Sequence, residues 1–205
     1  MHEDFVDAVE AVPGVLVSAR YAGSDNFIGA PVAGYKADKV VVAKAVAVAL
    51  TAVQAEVSLR GLALKLFDGY RPQRAVDHFM RWIADTGDTK NKTTYYPNVA
   101  KADLVKLGYL AEKSGHSRGG SVDLTLVRQD EGGNWIELDM GSPWDLFDAR
   151  SHVGSTLVDA GAQENRKMLT NVMLRNGFKP YSEEWWHFTL NPEPYPEVYF
   201  NFPIE

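Results

Sequence analysis

A histidine and an aspartate stand seven residues apart in the segment from Ser114 to Asp123, which reads Ser-Gly-His-Ser-Arg-Gly-Gly-Ser-Val-Asp. His116 and Asp123 both have side chains that can ligate a metal ion such as zinc. On one continuous strand this odd separation would put them on opposite faces. The two glycines between them let the chain bend, so His116 can come from a loop and Asp123 from a strand. The alternative is that Asp123 caps a turn and His116 is an ordinary loop histidine.

A second pair of an acid and a histidine, Glu184 and His187, lies in the segment Ser-Glu-Glu-Trp-Trp-His-Phe near the C-terminus. Residues three apart share a face of a helix. The segment from Trp185 to Leu190 is nevertheless aromatic and β-branched, which favours a strand with Glu184 at its entrance and His187 inside it. Two adjacent tryptophans indicate an apolar wall that raises the pKa of a carboxyl group and excludes water. The plainer interpretation is a solvated acidic pair beside a packed core histidine.

Arg71 lies in the sequence Phe-Asp-Gly-Tyr-Arg-Pro, directly before Pro72. The residue that precedes a proline avoids helical backbone angles, and a proline readily occupies the first position of a helix. Arg71 is therefore expected at the junction between a strand and a helix, where its guanidinium can enter a cleft. There it can bind a carboxylate or stabilise a developing oxyanion. A surface ion pair with Asp68 is the alternative.

Taken together, the first two segments supply two histidines, an aspartate and a spare glutamate. The chain has no cysteine, so a metal ion would be held by His, Asp or Glu. Three protein ligands with an open position are typical of a catalytic zinc site, in which a nearby carboxylate acts as the base. The remaining histidines, His2, His78 and His152, stand outside any such pattern and are assigned no role.

The first long element that must position these residues is a helix predicted from Asp38 to Ser58. Its predicted buried face consists of Val41, Ala45, Val48 and Ala52, which follow the spacing of one side of a helix. The many valines in this stretch also suit a strand.

Three further helices and five strands are predicted from the spacing of apolar residues. The helices begin at Pro72, run from Asn98 to Leu110 and run from Ala162 to Asn176. The strands cover residues 15–17, 62–67, 122–127, 135–138 and 185–190. Helices separate the early strands, whereas the late strands lie close together. We therefore expect an α+β fold, with a small antiparallel sheet packed with helices in a single domain over residues 1–205.

The composition excludes several classes of function. The chain has 205 residues, with 21 Lys and Arg against 27 Asp and Glu, which gives a net charge of -6. Nucleic-acid and anionic-membrane binding both need a basic surface, so neither partner is expected. The apolar stretch at residues 40–53 is too short to span a bilayer. The acidic first residues lack the pattern of a secretory signal, so a cytoplasmic protein is expected.

Three motifs in this order resemble those of one family. They are Gly-Tyr-Arg-Pro at residues 69–72, Ser-x-His-x-x-Gly-(small)-(small)-x-Asp at residues 114–123, and Glu-x-x-His at residues 184–187. They look like the motifs of the VanX-type D-alanyl-D-alanine dipeptidases, zinc D,D-peptidases that share a fold with the hedgehog signalling domain. The similarity covers nearly the whole chain, from Tyr21 to Phe188.

The resemblance implies a hydrolase that cleaves the free dipeptide D-Ala-D-Ala with one zinc ion per chain. It implies that His116, Asp123 and His187 are the zinc ligands. It also implies that Glu184 is the catalytic base and that Arg71 stabilises the transition state. A preference for D,D stereochemistry follows from the resemblance alone.

By the same resemblance, Ser114 contacts the substrate and Tyr21 belongs to a segment that walls the pocket. Gly115 stands where the family commonly has a second serine, and Ser121 stands where alanine is usual. The change at Gly115 removes a group that could hydrogen-bond the substrate, so it bears on affinity more than on chemistry. We further expect the tryptophans and the proline-rich tail after Pro192 to close the cavity against longer peptides.

Two other functions remain open from the sequence. A D,D- or L,D-carboxypeptidase that trims peptidoglycan stem peptides has related chemistry, but it normally needs export. A hedgehog-like binding module would keep zinc without catalysis, and it would need neither Glu184 nor Arg71. The residues assign no oligomeric state. They also do not distinguish glycopeptide antibiotic resistance from recycling of the dipeptide.

Overall fold

The main sheet is built around one long strand. The computed structural model describes residues 2–205, and the longest strand in that range is β5, Ser121–Gln129. Val122, Leu124 and Leu126 alternate along β5 and join the hydrophobic core. Asp123, between them, faces the other side of the sheet. The alternation predicted for this segment is confirmed.

The other elements follow one another along the chain. The strands are β1 Phe5–Asp7, β2 Leu16–Val17, β3 Val41–Ala43, β4 Leu62–Asp68, β6 Trp135–Glu137, β7 Phe178–Tyr181 and β8 Glu184–Leu190. The helices are α1 Ala8–Ala11, α2 Lys44–Ser58, α3 Gln73–Ala84, α4 Lys92–Tyr95 and α5 Ala160–Arg175. The five predicted strands and the helix at residues 162–176 are thus confirmed to within two residues at either end. The helix predicted to begin at Pro72 begins at Gln73.

Strand β5 has partners along both edges. It pairs with β4 on one edge, and it pairs with β8 and β6 on the other. The sheet runs in the order β2-β4-β5-β8-β7, with β6 beside the far half of β5, and β1 and β3 form a separate ribbon. The α+β single-domain fold is confirmed. The sheet is mixed rather than wholly antiparallel, because β2 and β4 run parallel.

Helices α2 and α5 pack against the strands of this sheet. α2 contacts β4, α5 contacts β7 and β8, and the two helices touch each other. Leu169, Val172 and Met173 of α5 are buried. The candidate site residue Asp123 lies on the face of β5 opposite to its core residues.

Within the described residues, none of the helices is long and apolar enough to cross a membrane.

The predicted start and buried face of α2 are wrong. Residues 41–43 form β3, which pairs with β1 and suits their β-branched valines. The helix begins at Lys44, and its buried face includes Leu50 and Val53. Val48, predicted to face the core, is 74% exposed. Apolar residues fill every position from 45 to 50, so their spacing does not single out one face.

The helix predicted from Asn98 to Leu110 is also wrong. Residues 101–103 form a single 3₁₀ turn, and further turns lead to Gly108, whose φ is +84°. Leu104 and Tyr109 are buried from this irregular path rather than from one side of a helix. Their apolar spacing therefore reflects tertiary packing and not helical periodicity.

The C-terminal tail packs against residues from the N-terminal part of the chain. Phe202 stacks on Tyr70 and contacts the ring of Phe5. Ile204 then pairs with the backbone near the N-terminal third of the chain through an isolated bridge to Tyr35. We call residues 193–204 the C-terminal strap.

Candidate metal-binding active site

A tight turn presents His116. Residues 116–118 form one 3₁₀ turn, and the hydroxyl of Ser114 accepts a hydrogen bond from the backbone N–H of His116 (3.2 Å). Gly119 ends the turn with a φ of +73°, and a Cβ there would lie 2.6 Å from the ring of Phe5. Only glycine satisfies both conditions. The chain can then enter β5 directly, so His116 comes from a loop and Asp123 from a strand, as predicted.

Asp123 and His187 come from adjacent strands. They are register partners in the antiparallel pair β5–β8, so their side chains leave the sheet on the same face. Glu184 begins β8, where the pairing with β7 shifts register between Pro180 and Tyr181. In a regular strand, residues three apart point to opposite faces. The irregular pairing lets Glu184 line the same cavity as His187.

Three potential ligand atoms converge at this point. Nε2 of His116 lies 3.0 Å from Nδ1 of His187 and 3.3 Å from Oδ1 of Asp123. Nδ1 of His187 and Oδ1 of Asp123 are 3.1 Å apart. In a tetrahedral zinc site with bonds of about 2.0–2.1 Å, neighbouring ligand atoms are separated by about 3.4 Å. The spacing of the three atoms therefore fits such an ion.

The protonation of these side chains also suits a cation. Nδ1 of His116 donates to the carbonyl oxygen of Gly69 (2.7 Å), so Nε2 is left with its lone pair facing the other two atoms. Burial lowers the pKa of His187, although Asp123 opposes this shift. Burial alone would raise the pKa of Asp123, but the two imidazoles hold it well below its usual range. A carboxylate and two neutral imidazoles are the forms that bind a metal.

Arg71 enters the cavity at the junction of β4 and α3, where the sequence places it. Its Nε donates to Oδ2 of Asp68 (2.9 Å), and its Nη2 lies 3.6 Å from Oδ2 of Asp123. The guanidinium is 5.2 Å from the ring centroids of both Tyr21 and Phe79. The ion pair with Asp68 thus exists, but it is buried rather than at the surface. It fixes the direction in which the guanidinium points.

Glu184 lies beside the three potential ligands. Its Oε2 is 3.7 Å from Nδ1 of His187, and the residue is 8% exposed. Burial raises the pKa of its carboxyl group well above the usual value. The charges of Asp123 and Asp145 raise this pKa further, and Arg71 partly opposes them. A carboxyl group with a raised pKa is suited to accept and return a proton near neutral pH.

These side chains line one cavity of about 210 Å³. This volume is below the roughly 300–1,000 Å³ that is typical of pockets for larger ligands. Part of the wall is the segment from Gly108 to Ser114, and the hydroxyl of Tyr181 holds it by donating to the carbonyl oxygen of Gly108 (2.8 Å). The prediction that the tryptophans and the tail close the cavity is wrong. Trp185 and Trp186 are buried in the core, and the cavity lining includes neither them nor the C-terminal strap.

Asp145 is a residue of this cavity that the sequence analysis missed. It is 3% exposed, and it has a φ of +64°, which is uncommon for a residue other than glycine. Its Oδ2 accepts a hydrogen bond from the hydroxyl of Tyr21 (2.8 Å). Burial and then the charge of Asp123 raise the pKa of Asp145 to about 8. It follows the Gly-Ser-Pro-Trp segment in a loop, without a spacing pattern that could have identified it.

The structure brings together every residue that the sequence analysis proposed for the site. The cavity is lined by Tyr21, Arg71, Ser114, His116, Asp123, Glu184 and His187. The individual roles assigned to them remain predictions.

The histidines without an assigned role lie outside this cavity. Nδ1 of His78 accepts a hydrogen bond from the backbone N–H of Ala33 (3.2 Å). Nε2 of His152 is 3.0 Å from the hydroxyl of Tyr109, and His2 lies near the N-terminus. Each is therefore available as a control for the histidines of the site.

Comparison with known proteins places this chain among peptidases. The model of the peptidase M15 family, described as D-ala-D-ala dipeptidase, matches residues 1–205. The D-alanyl-D-alanine dipeptidases of Enterococcus faecalis and Streptomyces coelicolor are 44% and 45% identical to it, and each alignment covers 100% of both chains. Among solved structures, the vancomycin resistance D,D-pentapeptidase VanY in complex with Zn(II) is similar over 75% of each chain. That similarity has 15% sequence identity and a TM-score of 0.44.

Loss of one of the three potential ligands should abolish metal binding. We expect His116→Ala and Asp123→Asn each to weaken the binding of a divalent metal by more than about 100-fold, the upper end of the effect of outer-shell changes. His78→Ala and His152→Ala should bind like the unmodified protein. Metal content after dialysis and competition with a chelator measure metal binding in all four variants. Equal losses in the two control variants would contradict the assignment.

Proposed function

The chain belongs to the peptidase M15 family of D-Ala-D-Ala dipeptidases and is a metallopeptidase, and from this premise we propose that it hydrolyses the free dipeptide D-Ala-D-Ala with one zinc ion. The main support is that His116, Asp123 and His187 meet Glu184 and Arg71 in one small cavity. Among residues 2–205, these two histidines and this aspartate form the one cluster suited to a metal. One zinc ion per chain is therefore proposed.

The three potential ligands would hold zinc through two neutral nitrogens and one carboxylate. When bound there, zinc supplies a Lewis acid that lowers the pKa of a water molecule from about 16 to about 7. The carbonyl oxygen of Gly69 keeps Nε2 of His116 turned toward the site. This hydrogen bond is the kind of outer contact that orients ligating histidines.

Glu184 is the proposed general base. Its carboxyl oxygen lies 3.7 Å from Nδ1 of His187, one of the atoms that would hold the ion. It would accept the proton of the attacking water and then deliver it to the leaving amine. Because burial raises its pKa, the protonated form is a stable intermediate state of this carboxyl group. General acid–base catalysis of this kind contributes roughly 10²–10⁴-fold to the rate.

Arg71 is the proposed stabiliser of the negative charge that develops on the carbonyl oxygen. Asp68 accepts a hydrogen bond from Nε of the guanidinium, and Nη2 lies 3.6 Å from Oδ2 of Asp123, another residue that lines the cavity. Removal of one donor to an oxyanion costs roughly 10²–10³-fold in rate. The neighbouring rings of Tyr21 and Phe79 restrict the guanidinium further.

Asp145 is the proposed partner of the ammonium group of the dipeptide. Its buried carboxyl group has a raised pKa, and an approaching ammonium favours the ionised form. Tyr21 orients this carboxyl group through its hydroxyl, and Ser114 offers a further contact from the opposite segment. The small cavity supports a dipeptide over a longer chain. The D,D preference and a cytoplasmic location are proposed from the family alone.

Substrate choice tests this proposal directly. We expect the purified protein to release free amine from D-Ala-D-Ala, to lose this activity after chelation and to regain it with zinc. L-Ala-L-Ala should not be cleaved, and N-acetyl-D-Ala-D-Ala should be a poor substrate because it has no ammonium for Asp145. Amine release measured by ninhydrin or mass spectrometry reports all three.

Three other results of the substrate experiment would contradict the proposal. Efficient cleavage of the N-acetylated peptide would indicate a carboxypeptidase. Stoichiometric zinc without cleavage of any of the three peptides would indicate a binding module. Cleavage that survives complete removal of the metal would contradict the zinc mechanism.

Glu184→Ala should abolish turnover while zinc stays bound. The expected loss in kcat is at least about 10²-fold, from the contribution of general base catalysis. Glu183→Ala is the matched control, because Glu183 is adjacent but does not line the cavity, and it should retain activity. Loss of zinc from Glu184→Ala would instead identify Glu184 as a ligand.

Arg71→Ala should lower kcat more than it raises KM. The expected decrease in kcat is roughly 10²–10³-fold, because an interaction made mainly in the transition state is removed. Arg81→Ala, on the exposed side of α3, serves as the control. Steady-state kinetics with D-Ala-D-Ala separate the two constants. A larger effect on KM than on kcat would assign Arg71 to ground-state binding.

A further inference from the structure

An ion pair joins the His116 turn to the C-terminal strap. Nε and Nη2 of Arg118 donate to the two carboxylate oxygens of Glu193, and both distances are 2.7 Å. Nη1 of Arg118 also donates to the hydroxyl of Tyr199 (3.0 Å). The side chains of Arg118 and Glu193 are only 20% and 21% exposed. Such a bidentate pair fixes orientation as well as distance.

This pair links two segments of the chain, and each segment carries one of the potential metal ligands. Arg118 is the last residue of the turn that begins with His116. Glu193 follows β8, the strand that carries His187. We propose that the Arg118–Glu193 pair is a positioning element that sets the separation of His116 and His187, and thereby the affinity and geometry of the metal site. This inference rests on the proposed metal site.

Backbone hydrogen bonds make the connection short and stiff. The N–H of Leu190, at the end of β8, donates to the carbonyl oxygen of Gly120 (2.9 Å). The N–H of Phe200, in the strap, donates to the carbonyl oxygen of Ser117 (2.8 Å). A Cβ on Gly120 would lie 3.2 Å from Cγ of Glu193, so a glycine leaves room for the glutamate. The turn is thus held both to the end of β8 and to the C-terminal strap.

The turn needs such an external attachment. Its own hydrogen bonds, from the N–H groups of Ser117, Arg118 and Gly119 to the carbonyl oxygens of residues 114–116, fix its local shape. Its position relative to β8 depends on contacts outside the turn. Metal–ligand distances in protein sites lie within about 0.2 Å of their standard values. A turn that is no longer held in place would misplace Nε2 of His116 relative to Nδ1 of His187, which lies 3.0 Å from it, and would weaken binding.

Removal of the pair tests this inference. We expect Arg118→Met and Glu193→Gln each to weaken zinc binding by about tenfold, the lower end of the effect of outer contacts on metal affinity. The visible spectrum of the cobalt-substituted protein should change, and kcat for D-Ala-D-Ala should fall more than KM rises. Zinc affinity is measured by chelator competition on the full-length apoprotein. Glu193→Gln has the same shape as the native residue, so it remains informative if Arg118→Met does not fold.

The matched control is another arginine–glutamate pair. Arg175 of α5 and Glu56 of α2 form an ion pair away from the cavity. Arg175→Met should lower thermal stability without changing zinc affinity or the cobalt spectrum.

Two results would overturn the inference. In the first, Arg118→Met and Glu193→Gln change thermal stability alone, and zinc affinity and the cobalt spectrum stay unchanged. In the second, Arg175→Met weakens zinc binding as much as they do. Failure of the unmodified protein to bind zinc would refute the proposed metal site itself, and it is seen before any variant is made.

Discussion

The structure depends on the close approach of three electron-rich atoms in a buried place. Nε2 of His116, Nδ1 of His187 and Oδ1 of Asp123 lie 3.0–3.3 Å from one another. Two imidazole lone pairs and a carboxylate at this separation repel each other, and a cation between them removes the repulsion. Three features hold these atoms together: the pairing of β5 with β8, the 3₁₀ turn after Ser114, and the carbonyl oxygen of Gly69. The rest of the site is arranged around this constraint.

The charges around these three atoms also favour a bound cation. Arg71 faces four buried carboxyl groups, those of Asp68, Asp123, Asp145 and Glu184. One guanidinium charge does not balance the charges of four carboxylates. Burial and the neighbouring carboxyl groups therefore raise the pKa values of Asp68, Asp145 and Glu184. A divalent metal and the ammonium of a dipeptide both reduce this excess of negative charge. The same imbalance thus favours metal binding, substrate binding and a carboxyl group able to carry a proton.

The sequence predicts the chemistry of the site better than its surroundings. His116, Asp123 and His187 lie in short motifs whose residue types suit a metal, and the resemblance of these motifs to a peptidase family implied that the three meet. Asp145 could not, because its place depends on a loop with a positive φ and on contact with Tyr21 more than a hundred residues away.

The errors in the predicted elements have a similar cause. The pairing of β3 with β1 depends on contacts between distant parts of the chain, and so does the choice of the buried face of α2. The periodicity of apolar residues along the chain reveals neither the strand pairing nor the buried face. The shift in register beside Glu184 is a further example, because only the partner strand reveals it.

The two departures from the family pattern, Gly115 and Ser121, are explained by one packing contact. A Cβ on Gly115 would collide with Oγ of Ser121, which shares a hydrogen bond with the hydroxyl of Thr189 (2.7 Å). A side chain at position 115 would therefore require Oγ of Ser121 to turn away from Thr189, or a smaller residue such as alanine at position 121. Oγ1 of Thr189 lies 3.5 Å from Nε2 of His187, so this contact reaches the far side of a potential ligand. Gly115 and Ser121 thus form a matched pair, and because Gly115 also lines the cavity, its effect on substrate affinity stays a prediction.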